Sequence, residues 1–301
     1  MRRLTVSAAL LAALATAGCA GGMTSSGGAP TGFGAVAPSS KVRLVPDSAT
    51  PPPSFDLGGV CLFSVLVFNQ GGNLLLDDGS VINGSAGLDD ANAHMQLHSG
   101  TVTGQVYLLT DSAVNNILNN STIVLGTTVD PADLILAGND GNAKSAQIAT
   151  LASTPGMPST MVSHGQKGTP FTITAGPGLS IVNLDRLDLQ NSSLTVNAPV
   201  GAQVVINVAG QVMMQNTPLL VTGGIQPGRV AINATGNAQN VSITNPDGSA
   251  TPFGALVLAP DRTVFVEGTD IQGALVAGKV EIKKHSSVTQ GSSCPSSTLP
   301  I

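Results

Sequence analysis

The side chains able to do chemistry are few and scattered. His94 and His98 stand four apart, just after Asp89 and Asp90. Facing one side, the two imidazoles could share a metal, but no nearby cysteine completes a ligand set. Two solvated loop histidines are the simpler expectation. Asp89, Asp90 and His164-Gly165 are the groups a polysaccharide-cleaving enzyme would use. That chemistry needs two carboxylates a fixed distance apart around the scissile bond, and the supporting acidic and basic motifs are missing. With no Trp and one Tyr, Tyr107, the aromatic floor of a sugar groove is missing too. Asp185 and Asp188 flank Arg186 and could hold calcium or a substrate; charges on the outer side of a strand are the plainer reading. Asp77, Asp78, Asp89 and Asp90 could bind Ca²⁺ through carboxylates and turn carbonyls, yet neither an EF-hand loop nor a Gly-Gly-x-Gly-x-Asp repeat occurs. Gly165-Gln166-Lys167-Gly168 reads as a basic turn, and Lys279, Lys283 and Lys284 beside His285 as a charged strand edge. The expectation is a protein with no catalytic residue, no metal site and no cofactor.

The three cysteines carry more. Met1-Arg2-Arg3, an apolar run from Leu4 to Ala17, and Gly18-Cys19 form a bacterial secretory signal. The run is too short to span a bilayer, which takes about 20 apolar residues. Ala17-Gly18-Cys19 resembles a lipobox, with Thr16 departing from the usual aliphatic residue. Cys19 is therefore the expected lipid-attachment site, and ordinary cleavage nearby is the other reading. That leaves Cys61 and Cys294, a pair that an oxidising compartment would allow to bridge; two buried free thiols are the alternative.

The chain divides into a signal peptide over residues 1–18 and a lipidated cysteine with a Gly/Ser/Pro tether over 19–54. A single domain over 55–295 follows. The tether ends in Pro51-Pro52-Pro53 and shows no hydrophobic periodicity. The net charge is −5, with 12 Lys plus Arg against 17 Asp plus Glu. No basic stripe or interleaved aromatics appear, which excludes nucleic acid as a partner.

Within the domain, Leu62 to Phe68 reads as a buried strand. Gly79-Ser80-Val81-Ile82-Asn83-Gly84 is echoed by Gly100-Thr101-Val102-Thr103-Gly104, and Gly254-Ala255-Leu256-Val257 by Gly273-Ala274-Leu275-Val276. Both echoes recur at about 20 residues, the mark of a β-solenoid. Between them, Asp111 to Leu118, Asp130-Pro131 to Leu136 and Ala143 to Leu151 read as covering helices. From Phe171 onward, apolar residues alternate with Thr, Asn or Ser in short runs separated by Gly and Pro. The expected fold is mostly β: a right-handed β-helix with coils of about 20 residues and a few covering helices, with a β-sandwich as the alternative.

The order of these pieces resembles the choice-of-anchor A family, some members of which are described as collagen-binding-domain-like. The resemblance rests on Phe63 to Phe68, Ser145 to Leu151, Leu179 to Leu184, Leu194 to Pro199, Gly201 to Gly210, Gly254 to Pro260 and Ile271 to Ala277. It implies an extracellular, surface-attached β-helical module and transfers no catalytic residue. The same architecture is shared with bacterial ice-binding proteins and polymerising β-helices. Against ice binding, Thr101-x-Thr103 and Thr172-x-Thr174 stand isolated, with no long threonine ladder.

The expected function is a non-catalytic cell-envelope lipoprotein, exported and anchored in a membrane by its lipid. Its module would serve adhesion or envelope structure, with extracellular matrix or a glycan as partner. A self-assembling solenoid and a polysaccharide-active enzyme are the alternatives.

Overall fold

The structure is a computed structural model that describes residues 56–68, 71–110, 117–236 and 239–291. Cys19, the signal peptide, almost all of the tether and Cys294 lie outside the described residues.

Every strand pairing is parallel, and the strands fall on three faces. Face one holds β1 (Val65–Phe68), β4 (Ala86–Asp89), β7 (Val106–Leu108), β10 (Thr127–Val129), β13 (Leu179–Leu184), β16 (Gln203–Val208) and β19 (Val230–Ala234). It also takes the first halves of β22 (Leu256–Glu267) and β24 (Leu275–Lys283), whose second halves turn onto face two. Face two otherwise holds β2 (Asn73–Asp77), β5 (His94–His98), β8 (Ile117–Asn119), β11 (Thr160–Ser163), β14 (Arg186–Gln190), β17 (Val212–Gln215) and β20 (Val241–Thr244). Face three holds β3 (Val81–Asn83), β6 (Thr101–Val102), β9 (Thr122–Ile123), β12 (Phe171–Thr174), β15 (Leu194–Asn197), β18 (Leu219–Thr222), β21 (Thr251–Phe253), β23 (Thr269–Gln272) and β25 (Ser287–Thr289).

A β-solenoid of this kind is legible in the strands themselves. Faces two and three carry one wet side, so Asn73–Asp77 and Val241–Thr244 alternate buried with part-exposed residues. Face one is covered on both sides, so Val65–Phe68 and Gln203–Val208 are buried throughout. Parallel sheets buried on both faces read as continuous apolar runs for this reason. Paired residues are 21 apart at Val65 and Ala86 and 26 apart at Val204 and Val230, so the coils are not uniform.

The stack is not wound in sequence order. Along face one it runs β10, β7, β4, β1, β24, β22, β19, β16, β13. The chain starts in the middle and climbs to one end. Helix α1 (Pro131–Ala149) then carries it along face one, and the remaining coils return. The final coil docks on the first, with Val65 beside Leu275, Leu74 beside Val280 and Ile82 beside Val288.

The helix starts as its sequence predicts: Asp130 caps it by accepting from the Asp133 N–H at 3.2 Å, and Pro131 opens the first turn. The two separate helices expected over 130–136 and 143–151 are one, running through Gly138 and Gly141. Glycine weakens an isolated helix by about 1 kcal/mol, but here it permits close approach. A Cβ on Gly138 would lie 2.0 Å from the Asp89 carboxylate. Leu134, Ala137, Gly138, Gly141, Ser145 and Ile148 form the buried stripe, against Leu66, Phe68, Val205, Ala231, Leu256 and Val276 of face one. The helix expected over 111–118 is corrected at its end: Ile117 and Leu118 are strand, paired with Gln96 and Leu97, because a coil repeat overrides local propensity there. Residues 111–116 lie outside the described residues.

Two polar devices lock the assembly. Asn183, Asn207 and Asn233 stand one above another on face one. Asn233 Nδ2 donates to Asn207 Oδ1 at 2.9 Å, and Asn207 Nδ2 to Asn183 Oδ1 at 2.8 Å. The same amides donate to the α1 carbonyls of Ser145 and Ile148 and to that of Leu151 just beyond. The ladder thus ties three coils to the C-terminal end of α1. At the corner between faces one and two, buried Arg262 donates to the carbonyls of Ala209, Gly210, Thr235, Gly236 and Gln239. It pins successive corners with one planar cation, and burial pulls its pKa below the ordinary value.

Candidate binding face

The sequence-expected chemistry disperses on this scaffold. His94 and His98 do share one side of β5, but four strand residues span about 13 Å, too far for one metal ion. Among the described residues, no three His, Cys, Asp or Glu groups gather to hold a metal. Asp89 faces α1, and Asp90 accepts from the Gly71 and Asn92 N–H groups at 2.5 and 2.7 Å. They line a recess of about 350 Å³ with Phe68, Leu109, Asn139 and Asn142. Burial, and then the neighbouring Asp90, push the Asp89 carboxyl up to about 6. Asp185 sits beside β13, six coil steps from Asp89, about 29 Å at the usual strand spacing. The carboxylates therefore do not converge. Asp188 is fully buried on face two and bonds Arg186 and, at 2.9 Å, His164. Asp77 and Asp78 lie at the corner after β2, with Asp77 accepting from the Asp78 N–H. Lys283 pairs with Glu281 at 2.9 Å and Lys284 pairs with Glu267, so two of the three lysines are tied into face-two ion pairs. Cys61 is disulfide-bonded, while its expected partner Cys294 lies outside the described residues.

What the fold does gather is on face three. Thr172 is beside Thr195, and Thr195 beside Leu220; one step along, Thr174 is beside Asn197, and Asn197 beside Thr222. In the other half of the stack, Asp270 is followed by Ser287, Val81, Thr101 and Thr122, and Gln272 by Thr289 and Asn83. All point outward, because the residues between them are core: Ile173, Val196, Ile271, Val288, Ile82 and Val102. Parallel pairing repeats these side chains about every 4.8 Å across strands and about 6.7 Å along them. Short bonds hold the array in place: Asn83 Nδ2 to Thr289 Oγ1 at 3.0 Å, Ser287 Oγ to Asp270 Oδ1 at 2.7 Å, and the Gly84 N–H to Thr103 Oγ1 at 3.0 Å.

Asp270 is the one charge among these outward positions, while face two carries Asp77, Arg186, Asp188, Glu267, Lys279, Glu281 and Lys283. Face three is thus a weakly charged array of hydroxyls, methyls and amides. Sequence reasoning missed it because it judged Thr101-x-Thr103 and Thr172-x-Thr174 one at a time. The usable signal was the recurrence of Thr-Ile-Thr, Thr-Val-Asn and Leu-Val-Thr at 172–174, 195–197 and 220–222.

A family model described as a putative ice-binding-like adhesive domain matches residues 63–289. No curated protein matches the chain in sequence. Among solved structures, a glycosylated ice-binding protein from an Arctic yeast is 16% identical, with 82% of this chain and 97% of that one covered at a TM-score of 0.53. An ice-binding protein from an Antarctic biological consortium is 15% identical, with coverage of 81% and 94% and a TM-score of 0.51. One from the Antarctic ascomycete Antarctomyces psychrotrophicus is 15% identical, with coverage of 79% and 98% and a TM-score of 0.50. At such identities the likeness is one of fold. The family match overturns the choice-of-anchor A resemblance. The motifs behind that resemblance were single strands with their turns, which any parallel solenoid shares. The matched family is a non-enzymatic one, and the chain belongs to the putative ice-binding-like adhesive domain family.

Proposed function

We propose that this chain is a surface lipoprotein, attached through Cys19, whose face three binds an extended, regular and uncharged surface, with ice as the first such target. The observation that carries the reading is the array running from Thr172 and Thr174 through Thr195, Asn197 and Thr222 on one side of a parallel sheet. A target that repeats in two dimensions is best met by groups that repeat in two dimensions. Threonine offers a hydroxyl and a methyl on a stiff β-branched stem, so little rotamer freedom is lost on contact. Near-absence of charge keeps the desolvation cost low. The structural relatives bear the name ice-binding, which selects ice among such surfaces.

The purified protein, labelled with a fluorophore, is placed around a slowly growing ice hemisphere. Incorporation into the ice together with inhibition of recrystallisation supports the proposal. Exclusion from the ice together with no recrystallisation effect defeats it. The anchor is tested separately, by labelled fatty acid incorporated in cells by the wild type and not by Cys19→Ala.

A further inference from the structure

Asn83 and Gly84 form the one Asn-Gly pair in the chain. Asn83 ends β3 on the outward side of face three, is exposed, and has Thr289 as its ladder partner. Glycine at 84 is imposed by packing. Its φ is +131°, and a Cβ there would lie 2.2 Å from Ser64 Oγ. One coil further on, a Cβ on Gly104 would lie 2.4 Å from the Gly84 carbonyl carbon, so this corner closes on backbone alone.

That packing has a chemical consequence. With no Cβ beside it, the Gly84 nitrogen is unhindered toward the Asn83 side-chain amide. Two hydrogen bonds stand against its attack. The Gly84 N–H donates to Thr103 Oγ1 at 3.0 Å, and the Thr103 hydroxyl is oriented by donating to the Ile82 carbonyl at 3.3 Å. Asn83 Nδ2, the group that would leave, donates to Thr289 Oγ1 at 3.0 Å. Thr103 follows β6 and Thr289 lies on β25, the strands on either side of β3. Both restraints therefore come from other coils and exist only in the folded stack.

We propose that Asn83 is a deamidation site that the folded stack holds in check through Thr103 and Thr289. The Gly84 nitrogen attacks the Asn83 side-chain carbonyl carbon, a C–N bond closes a succinimide ring, and Nδ2 leaves as ammonia with the Gly84 proton. Solvent water then opens the ring at either carbonyl, giving aspartate or isoaspartate at position 83. Either product places a carboxylate among the hydroxyls of face three. Isoaspartate also lengthens the backbone beside Gly84, where Ser64 leaves no slack.

The purified protein is incubated in mildly alkaline buffer, and peptides containing position 83 are resolved by mass and charge over time. The expected outcome is slow loss of the Asn83 amide in the folded wild type and loss at least tenfold faster in guanidinium. Thr103→Val frees the Gly84 N–H and should speed the folded-state reaction about threefold or more, the weight of one hydrogen bond. Thr289→Val should do the same from the leaving-group side. Thr101→Val, in the same coil as Thr103, should match the wild type. Thr103 and Thr289 are exposed, so these substitutions disturb folding little, and rates are compared at an unchanged circular dichroism melt. Asn197, exposed on the same face but followed by Ala198, is the internal standard and should keep its amide. A folded wild type that reacts as fast as the unfolded chain, an unfolded chain that yields no product, or both Thr103→Val and Thr289→Val reacting at the wild-type rate would overturn the proposal.

Discussion

Asn233 bonds upward and sideways at once: its Nδ2 reaches Asn207 Oδ1 at 2.9 Å and the Ser145 carbonyl at 3.0 Å, while its own Oδ1 accepts from Ser145 Oγ at 2.7 Å. The side chain is fully buried. One amide therefore joins two coils to the helix. Asn233→Ala strands several buried polar groups, each costing about 1–3 kcal/mol. We expect a loss of about 3 kcal/mol, seen as a lower urea midpoint, with faster amide exchange in the last two turns of α1. An unchanged midpoint contradicts the ladder's role.

Arg262 supports five carbonyls from two corners besides its own. Arg262→Met leaves those acceptors buried, and we expect a loss of about 3 kcal/mol or more. Lysine keeps the charge but lacks the planar fork, so Arg262→Lys should recover only part of the loss in the same urea titration.

On face three, Thr195→Tyr inserts a bulky ring into the middle of the array between Thr172 and Leu220. Ice adsorption should fall at least tenfold while the melting temperature stays within about 1 °C, as expected of an outward-facing site. Ser242→Tyr, on face two, should adsorb as the wild type does. Equal losses from both variants would remove face three from the account.

Asp89 gives a pH signature. Its pKa is raised from 3.8 to about 6 by burial and by Asp90. The folded state therefore holds the proton more tightly than the unfolded chain. The contribution of Asp89 to stability is highest below about pH 4, falls between about pH 4 and 6, and stays reduced above. Asp89→Asn should flatten this stretch and raise the melting temperature by about 2–4 °C at pH 7.5. That figure is about 1 kcal/mol after allowance for solvent screening of a half-buried group. At pH 4 the two proteins should melt together.

For the proposed Cys61–Cys294 bridge, non-reducing peptide mapping should recover the two cysteines in one linked fragment. Closing so long a loop is worth about 5 kcal/mol in the chain-entropy account, so reductant should lower the melting temperature markedly. Recovery of Cys294 as a free thiol sinks the pairing.

The class of fold was open to sequence reading because both of its signals are local. Alternation in Phe171 to Thr174 and Leu194 to Asn197, and glycine corners near every 20 residues, need no distant contact. The order of the coils was hidden, because Val65 meeting Leu275 and Ile82 meeting Val288 are events across most of the chain. The binding face was hidden for the same reason: Thr101 and Thr172 gain meaning only from neighbours supplied by other coils. The continuity of α1 through Gly138 was hidden as well, since the closeness of that residue to Asp89 is tertiary. The N-cap at Asp130, a matter of three residues, was legible outright.

The mid-stack junction also governs how the molecule must be made. Residues 275–289 leave the ribosome after every other described coil, yet they fill the centre. A nascent chain cannot simply wind up behind its growing tip. It holds two unfinished half-stacks until the final coil arrives, and contacts of such sequence separation make folding slow. Loss of the last two strands would remove a keystone and leave two bodies joined by α1, so a truncation that reaches β25 should make this domain fail abruptly.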